Sequence, residues 1–154
     1  MERVIQLLSG PNLNMLGTRE PDLYGRDTID TLVARARKRA ELLGYGLEHL
    51  QSNRESDLVE VVQGLGPPTA ALIVNAGALT HYSWALADAL AAKGMVKIEL
   101  HITNTLARES WRWRSVLAPV VDGSIQGFGA VGYEIAVVAA AQLLADRTGG
   151  LAAP

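Results

Sequence analysis

The chain has 154 residues, 49% of them hydrophobic and 19% charged, with a formal net charge of −2. That is one domain's worth of sequence with an ordinary globular balance, and the slight negative charge argues against a dedicated nucleic-acid binder. Cysteine is absent, which excludes disulfides, thiolate zinc sites and cysteine nucleophiles and fits a reducing cytoplasm.

Residues 1–9 carry no basic segment followed by a sustained apolar run, so no signal peptide is expected. Val4 to Leu8 reads as a short buried strand ending at Ser9-Gly10-Pro11. Thr28 can cap a helix with periodic apolar positions at Ile29, Leu32, Val33, Ala36, Ala40 and Leu43, stopped by Gly44. The basic run Arg35-Ala36-Arg37-Lys38-Arg39 lies inside that pattern and reads as a solvated helix face rather than a binding patch. Leu47 to Gln51 is a second strand, and Leu58 to Leu65 a second helix ended by Gly66-Pro67-Pro68. Ala71 to Asn75 is a third strand, Ser83 caps a helix through Ala92, and Val96 to Ile102 is a fourth strand. Ser124 to Phe128 gives a fifth strand and Tyr133 to Leu144 a closing helix. The longest apolar stretch, Ile135 to Ala145, contains Gln142 and is too short to span a bilayer.

Strands that alternate with crossover helices imply a parallel sheet covered on both faces, in three α/β/α layers. With five strands, a flavodoxin-like doubly wound fold is the natural candidate. Ligands in such sheets bind beyond the carboxyl ends of the strands, near the switch in winding direction. Chemistry is therefore expected just after residues 9, 51, 75 and 102.

The unusual residues do gather there. Asn12, Asn14, Arg19 and Tyr24 follow the first strand, Gln51, Asn53 and Arg54 the second, Asn75 and His81 the third, and His101, Thr103, Arg108 and Arg112 the fourth. Each has a plain alternative. Asn12 and Asn14 suit turns, and His81 can be a capping or core histidine. Glu99 and His101 alternate onto one face of a strand, where the carboxylate either orients the imidazole or makes a structural contact. Arg108 and Arg112 stand four apart, so a helical turn points both one way, either at an anion or at Glu109. The eighteen residues between the first strand and its helix are harder to dismiss, because loops of that length in compact domains are usually lids or binding loops. No dinucleotide or phosphate-loop glycine pattern occurs, no histidine or carboxylate set has metal-ligand spacing, and Ser9 and Ser83 lack a nucleophile-elbow context. A site of tyrosine, arginine, asparagine and histidine suits an anionic, hydroxyl-rich small molecule and general acid–base chemistry.

Five ordered segments then carry a specific resemblance. Gly10-Pro-Asn-Leu-Asn-Met-Leu-Gly-Thr-Arg-Glu-Pro21 with Tyr24-Gly25, Gln51-Ser-Asn53, Asn75-Ala-Gly-Ala-Leu-Thr-His81 with Asp88-Ala-Leu90, Glu99-Leu-His101, and Arg108-Glu109 through Arg112 resemble type II 3-dehydroquinate dehydratases. Gly127-Phe-Gly129 and Gly132-Tyr133 add a weaker match, and the whole spans about residues 4–145. The resemblance implies a flavodoxin-like fold, a dodecamer of four trimers, and conversion of 3-dehydroquinate to 3-dehydroshikimate by anti elimination of water through an enolate, with no metal, cofactor or Schiff base. It further implies that Tyr24 abstracts the proton beside the ketone, with Arg19 on the same mobile lid and Arg108 favouring the phenolate. Asn12 would hold a water on the enolate oxygen, and His101, oriented by Glu99, would protonate the departing hydroxyl. Asn75, His81, Ile102, Thr103 and Arg112 would bind carboxylate and hydroxyls, and Asp88 would reach in from a neighbouring subunit. The chemistry is coherent: a phenolate at pH 7 costs about 4 kcal/mol, which nearby cations can offset, and histidine is the side chain best tuned to protonate a leaving hydroxide.

Four positions depart from the family pattern. Thr103 stands for serine, Ala87 for an arginine that would affect a subunit contact, Ser56 for a glycine whose positive φ would be costly, and Trp111-Arg112-Trp113-Arg114 for a less bulky stretch. None removes a residue with a chemical role. The expectation is one catalytic domain over 1–154 with a lid near 17–26 and a flexible tail near 147–154. It acts in the cytoplasm in aromatic-precursor biosynthesis and binds neither nucleic acid nor membrane. Quinate breakdown by the same reaction and a non-catalytic binding paralogue are the alternatives.

Overall fold

The computed structural model describes residues 3–18 and 20–149. Five strands, β1 (Val4–Ser9), β2 (Gly46–Gln51), β3 (Thr69–Asn75), β4 (Val96–His101) and β5 (Gly123–Gln126), form one sheet in the order β2-β1-β3-β4-β5. Every neighbouring pair is parallel. This is the flavodoxin-like order, and the winding reverses between β1 and β3. Strand β5 stops two residues short of the expected Phe128 because Gly127 takes φ +89, which leaves the extended region.

The helices are α1 (Pro21–Tyr24), α2 (Ile29–Leu42), α3 (Glu55–Gly64), α4 (Trp84–Ala91) and α5 (Val131–Gly149). Helices α2 and α5 pack together over one face of the sheet, and α3 and α4 over the other. Thr28 and Ser83 cap α2 and α4 as expected, accepting the Thr31 and Leu86 amides at 3.2 and 3.1 Å. With both faces covered, β1, β3 and β4 are buried along almost their whole length, which is why they read as apolar runs. Among the described residues no helix is long and apolar enough to cross a membrane.

Several details differ from the sequence reading. Helix α3 begins at Glu55, so Ser56 lies in its first turn; among the described residues the positive-φ positions other than glycine are Asn12 and Glu20, and the strain expected at Ser56 does not arise. Ala87 is only 4% exposed and packs in the core under α4, so it is not itself a surface contact. Arg35 is more than a solvated side chain: its guanidinium reaches Glu134 of α5 at 2.6 Å, and Arg39 lies 3.7 Å from the same carboxylate. Helix α5 is longer than expected, its last turn held by Arg147, which pairs with Asp122 at 2.6 Å. Residues 147–149 of the expected tail are helical, and 150–154 lie outside the described residues.

The two central strands are locked at their carboxyl ends. The Gly10 amide donates to Asn75 O at 2.8 Å, and a Cβ at residue 10 would lie well inside van der Waals contact with the Ala76 carbonyl. Only glycine fits where two backbones approach this closely. Because the obstacle is main chain, Gly10→Ala should lower unfolding free energy by about 1–3 kcal/mol, read from urea denaturation; an unchanged midpoint would show that the strands separate without cost.

Candidate active site

Beyond the carboxyl ends of β1, β3 and β4 lies a cleft of about 660 Å3, part of it open to solvent. Its lining includes Asn12, Tyr24, Asn75, His81 and His101, together with Ile102, Thr103, Arg108 and Arg112. The structure thus brings together nine of the twelve residues singled out from sequence. Glu99 stands behind His101. Asp88 lies on the exposed face of α4 and does not line its own chain's cleft. Arg19 lies outside the described residues.

Local structure sets each group. Asn12 follows β1 with φ 70 and ψ −4, a left-handed conformation that asparagine tolerates better than most residues. Its amide donates to Asn53 Oδ1 at 2.9 Å, and that oxygen also accepts from Gln51 Nε2 at 3.2 Å. Gln51 in turn donates to Gly10 O at 3.1 Å, so the end of β2 straps the turn after β1. The eighteen-residue connection is not unstructured: a 3-10 turn (Leu13–Met15) and then α1 present Tyr24 at the cleft, packed against core residues. The Arg108 guanidinium carbon stands 5.2 Å from the Tyr24 ring centre, within reach of a cation–π contact.

In the same cleft, His101 Nε2 meets Glu99 Oε1 at 2.6 Å, with Glu99 2% exposed. The alternation along β4 therefore produces the orienting pair, and Nδ1 is the ring nitrogen left to the cleft. His81 stacks beside it, ring centres 6.3 Å apart, and donates from Nδ1 to Arg114 O at 2.7 Å. Its pKa is lowered from the usual 6.5, first by burial and then by the neighbouring His101 and Arg112. A neutral ring with Nδ1–H engaged offers Nε2 as an acceptor to a ligand hydroxyl.

Arg108 and Arg112 both face the cleft, but not through an α-helical turn. Arg108 is extended after one 3-10 turn and Arg112 lies in the next. They share Glu109, whose Oε2 is 3.7 Å from Arg108 Nε and 2.9 Å from Arg112 Nε, the acidic neighbour expected from sequence. Arg108 Nη1 also donates to the Thr103 hydroxyl at 3.3 Å. The two tryptophans brace this edge: Trp111 meets His81 edge-on at 5.4 Å under the Arg112 guanidinium at 4.0 Å, and Trp113 Nε1 donates to Arg108 O at 3.0 Å.

A polar chain missed from sequence runs beneath the floor. Asn75 Nδ2 donates to the Tyr133 hydroxyl at 3.0 Å, which also bonds Ser9, and Ser9 Oγ meets His49 Nε2 at 2.9 Å. Burial pushes Tyr133 up to about 12, so it stays neutral. With Asn75 Oδ1 accepting from the Gly77 amide at 3.3 Å, the amide of Asn75 has a fixed orientation. The place of Gly132-Tyr133 among the segments that carry the family resemblance was the available signal for Tyr133; His49, one of several polar residues in β2, gave none. Among the described residues no three His, Asp or Glu side chains gather as a metal-ligand set.

Fold and cleft define a doubly wound α/β protein with a polar cleft at the switch point of its parallel sheet. The model of the family described as dehydroquinase class II matches residues 3–141, and the chain belongs to that family. It is 47% identical over 135 residues to a 3-dehydroquinate dehydratase of Halalkalibacterium halodurans, covering 88% of this chain and 93% of that one. It is 45% identical to a catabolic 3-dehydroquinase of Aspergillus clavatus, covering 89% and 91%. The crystal structure of a type II dehydroquinase from Propionibacterium acnes superimposes with a TM-score of 0.87 at 38% identity, covering 92% of this chain and 98% of that one.

Two half-buried histidines give a pH signature. His49, like His81, has its pKa lowered from 6.5, first by burial and then by Arg37, against Asp30. The unfolded chain therefore takes up protons that the fold refuses. This contribution to stability is whole above pH 6.5, falls as pH drops through the window beneath it, and levels off below the folded pKa. Denaturation midpoints should decline across that window, and His49→Gln should flatten the decline; an unaltered slope would remove His49 from the account.

Proposed function

We propose that the protein removes water from 3-dehydroquinate to give 3-dehydroshikimate, by anti elimination through an enolate, as a step in aromatic-precursor biosynthesis. The observation that supports this is that two side chains suited to proton transfer line one cleft: Tyr24 beside Arg108, and His101 backed by Glu99. In this reading the Tyr24 phenolate takes the proton beside the ketone. The electron pair moves onto the ketone oxygen, where a water held by Asn12 donates to it. The enolate then collapses and expels the hydroxyl, which His101 protonates to water through Nδ1. Arg112, Thr103 and the backbone of Ile102 hold the carboxylate, and Asn75 and neutral His81 hold the hydroxyls. Arg19 is assigned to the lid, at about 17–26, on its place in the Gly10–Pro21 motif alone.

A Schiff-base route would need a lysine in the cleft. The chain has Lys38, Lys93 and Lys97, and none lines it. Lys93 Nζ is bound to the Gln63 and Leu65 carbonyls, and Lys97 Nζ to those of Leu90 and Lys93. Borohydride with substrate should leave activity intact. With purified protein and 3-dehydroquinate, absorbance of the conjugated enone product should rise, and Tyr24→Phe should cut kcat by about 100- to 10,000-fold with the fold preserved. No rise at high enzyme, or near-normal turnover by the phenylalanine variant, would overturn the reading.

The catabolic relative supports quinate breakdown as a second setting for the same reaction; induction of the protein by quinate would favour it. The lack of cysteine fits a cytoplasmic location. The active form is a homo-oligomer, a dodecamer of four trimers in this reading. Asp88 faces outward from α4, and Tyr82 and Trp84, about 60% exposed, stand just before the helix and at its first position, a surface that suits burial against a second copy. Asp88→Ala should lower activity, and co-assembly of Asp88→Ala with Tyr24→Phe subunits should restore part of it by pairing intact groups from different chains. An active monomer by light scattering, or no recovery on co-assembly, would defeat this.

A further inference from the structure

The loop Arg114–Val116, beyond the second 3-10 turn after β4, meets His81 directly and His101 through Glu99, without lining the cleft itself. Arg114 O accepts from His81 Nδ1 at 2.7 Å. Val116 N donates to Thr80 O at 2.8 Å, which anchors the loop to the turn that carries His81. Between them, Ser115 Oγ donates to Glu99 Oε2 at 2.8 Å, and Glu99 Oε1 holds His101 at 2.6 Å.

The direction of the serine bond follows from its surroundings. Ser115 Oγ accepts the Leu117 amide at 3.1 Å and the Ala118 amide at 2.9 Å. A hydroxyl has two lone pairs and one proton, so with both lone pairs engaged the proton goes to the carboxylate. Glu99 is 2% exposed, and a buried carboxylate oxygen without a donor is costly. Ser115 meets the oxygen that His101 leaves free. Without it the carboxylate could turn about its last torsion and offer its other oxygen, or neither, to the imidazole.

We propose that the Arg114–Val116 loop fixes the orientation of both cleft histidines, and that Ser115 is a positioning residue that holds His101 through Glu99. The inference rests on the dehydratase reading for its kinetic consequence only; the hydrogen-bond geometry is independent of it. A serine that merely shaped the turn would bind Leu117 and Ala118 and leave Glu99 alone, so the two roles separate experimentally.

The test compares wild type, Ser115→Ala and Ser115→Thr by steady-state kinetics with 3-dehydroquinate and by nitrogen-15 NMR of the imidazoles, following the strongly hydrogen-bonded Nε2–H of His101. In Ser115→Ala, kcat should fall roughly 10- to 100-fold, the effect of losing one hydrogen bond to a charged group. KM should stay within about twofold, and the Nε2–H signal should broaden or vanish. Ser115→Thr keeps the hydroxyl and should restore both. If the alanine variant does not fold, Ser115→Cys, of similar size but a much weaker donor, takes its place in the comparison. A folded variant lacking the donor with unchanged kcat and unchanged signal would overturn the proposal, as would a threonine variant as impaired as alanine. Wild-type protein without activity on 3-dehydroquinate would sink the dehydratase reading alone, and the NMR comparison would still decide whether Ser115 holds the pair.

Discussion

The carboxyl ends of β1 and β3 lie side by side, joined by the hydrogen bond from the Gly10 amide to Asn75 O, and the chain winds away from them in opposite directions. The loop after β1 leads to α2 over one face and the loop after β3 leads to α4 over the other. The space between the two departures is the cleft, with Tyr24 of α1 at its margin. Asn12 leaves β1 there, Asn75 ends β3, and His101 ends the next strand along. The site therefore depends on an approach of two backbones that a single methyl group would block.

Almost every polar group that faces the cleft is committed to the protein on its far side. Asn12 is held by Asn53, Asn75 by Tyr133 and Gly77, His81 by Arg114 O, and His101 by Glu99. Such anchoring spends conformational entropy at folding rather than when a ligand arrives, so a bound ring meets groups already aimed. The same low-dielectric surroundings that make these bonds strong make any missing partner costly. Arg108 and Arg112 differ, since each shares the exposed carboxylate of Glu109. An anionic ligand can compete with that water-facing partner far more readily than with a buried one.

The departures from the family pattern acquire different weights once placed. Ser56 and Ala87 fall at a helical turn and in a packed core, away from the cleft. Trp111 and Trp113 stand at its edge, stacked under one cleft arginine and bonded to the backbone of the other. Bulk there stiffens the arginine segment rather than filling the cleft, because neither tryptophan lines it.

By itself the sequence determined the strand–helix alternation, the parallel sheet and the strand ends at which polar residues collect. Those signals are local: strands buried on both faces must be apolar runs, and caps such as Thr28 and Ser83 act within one turn. The alternation that puts Glu99 and His101 on one side of β4 was equally legible. Only the tertiary structure decided that Tyr24 rides on a helical turn beneath Arg108, 84 positions further along. It alone decided that Ser9, His49 and Tyr133 form a chain under Asn75, and that Ser115 completes the coordination of Glu99. Those partners come from different elements, and a buried polar group takes whichever donor the packing brings within reach, a choice that no spacing along the chain records.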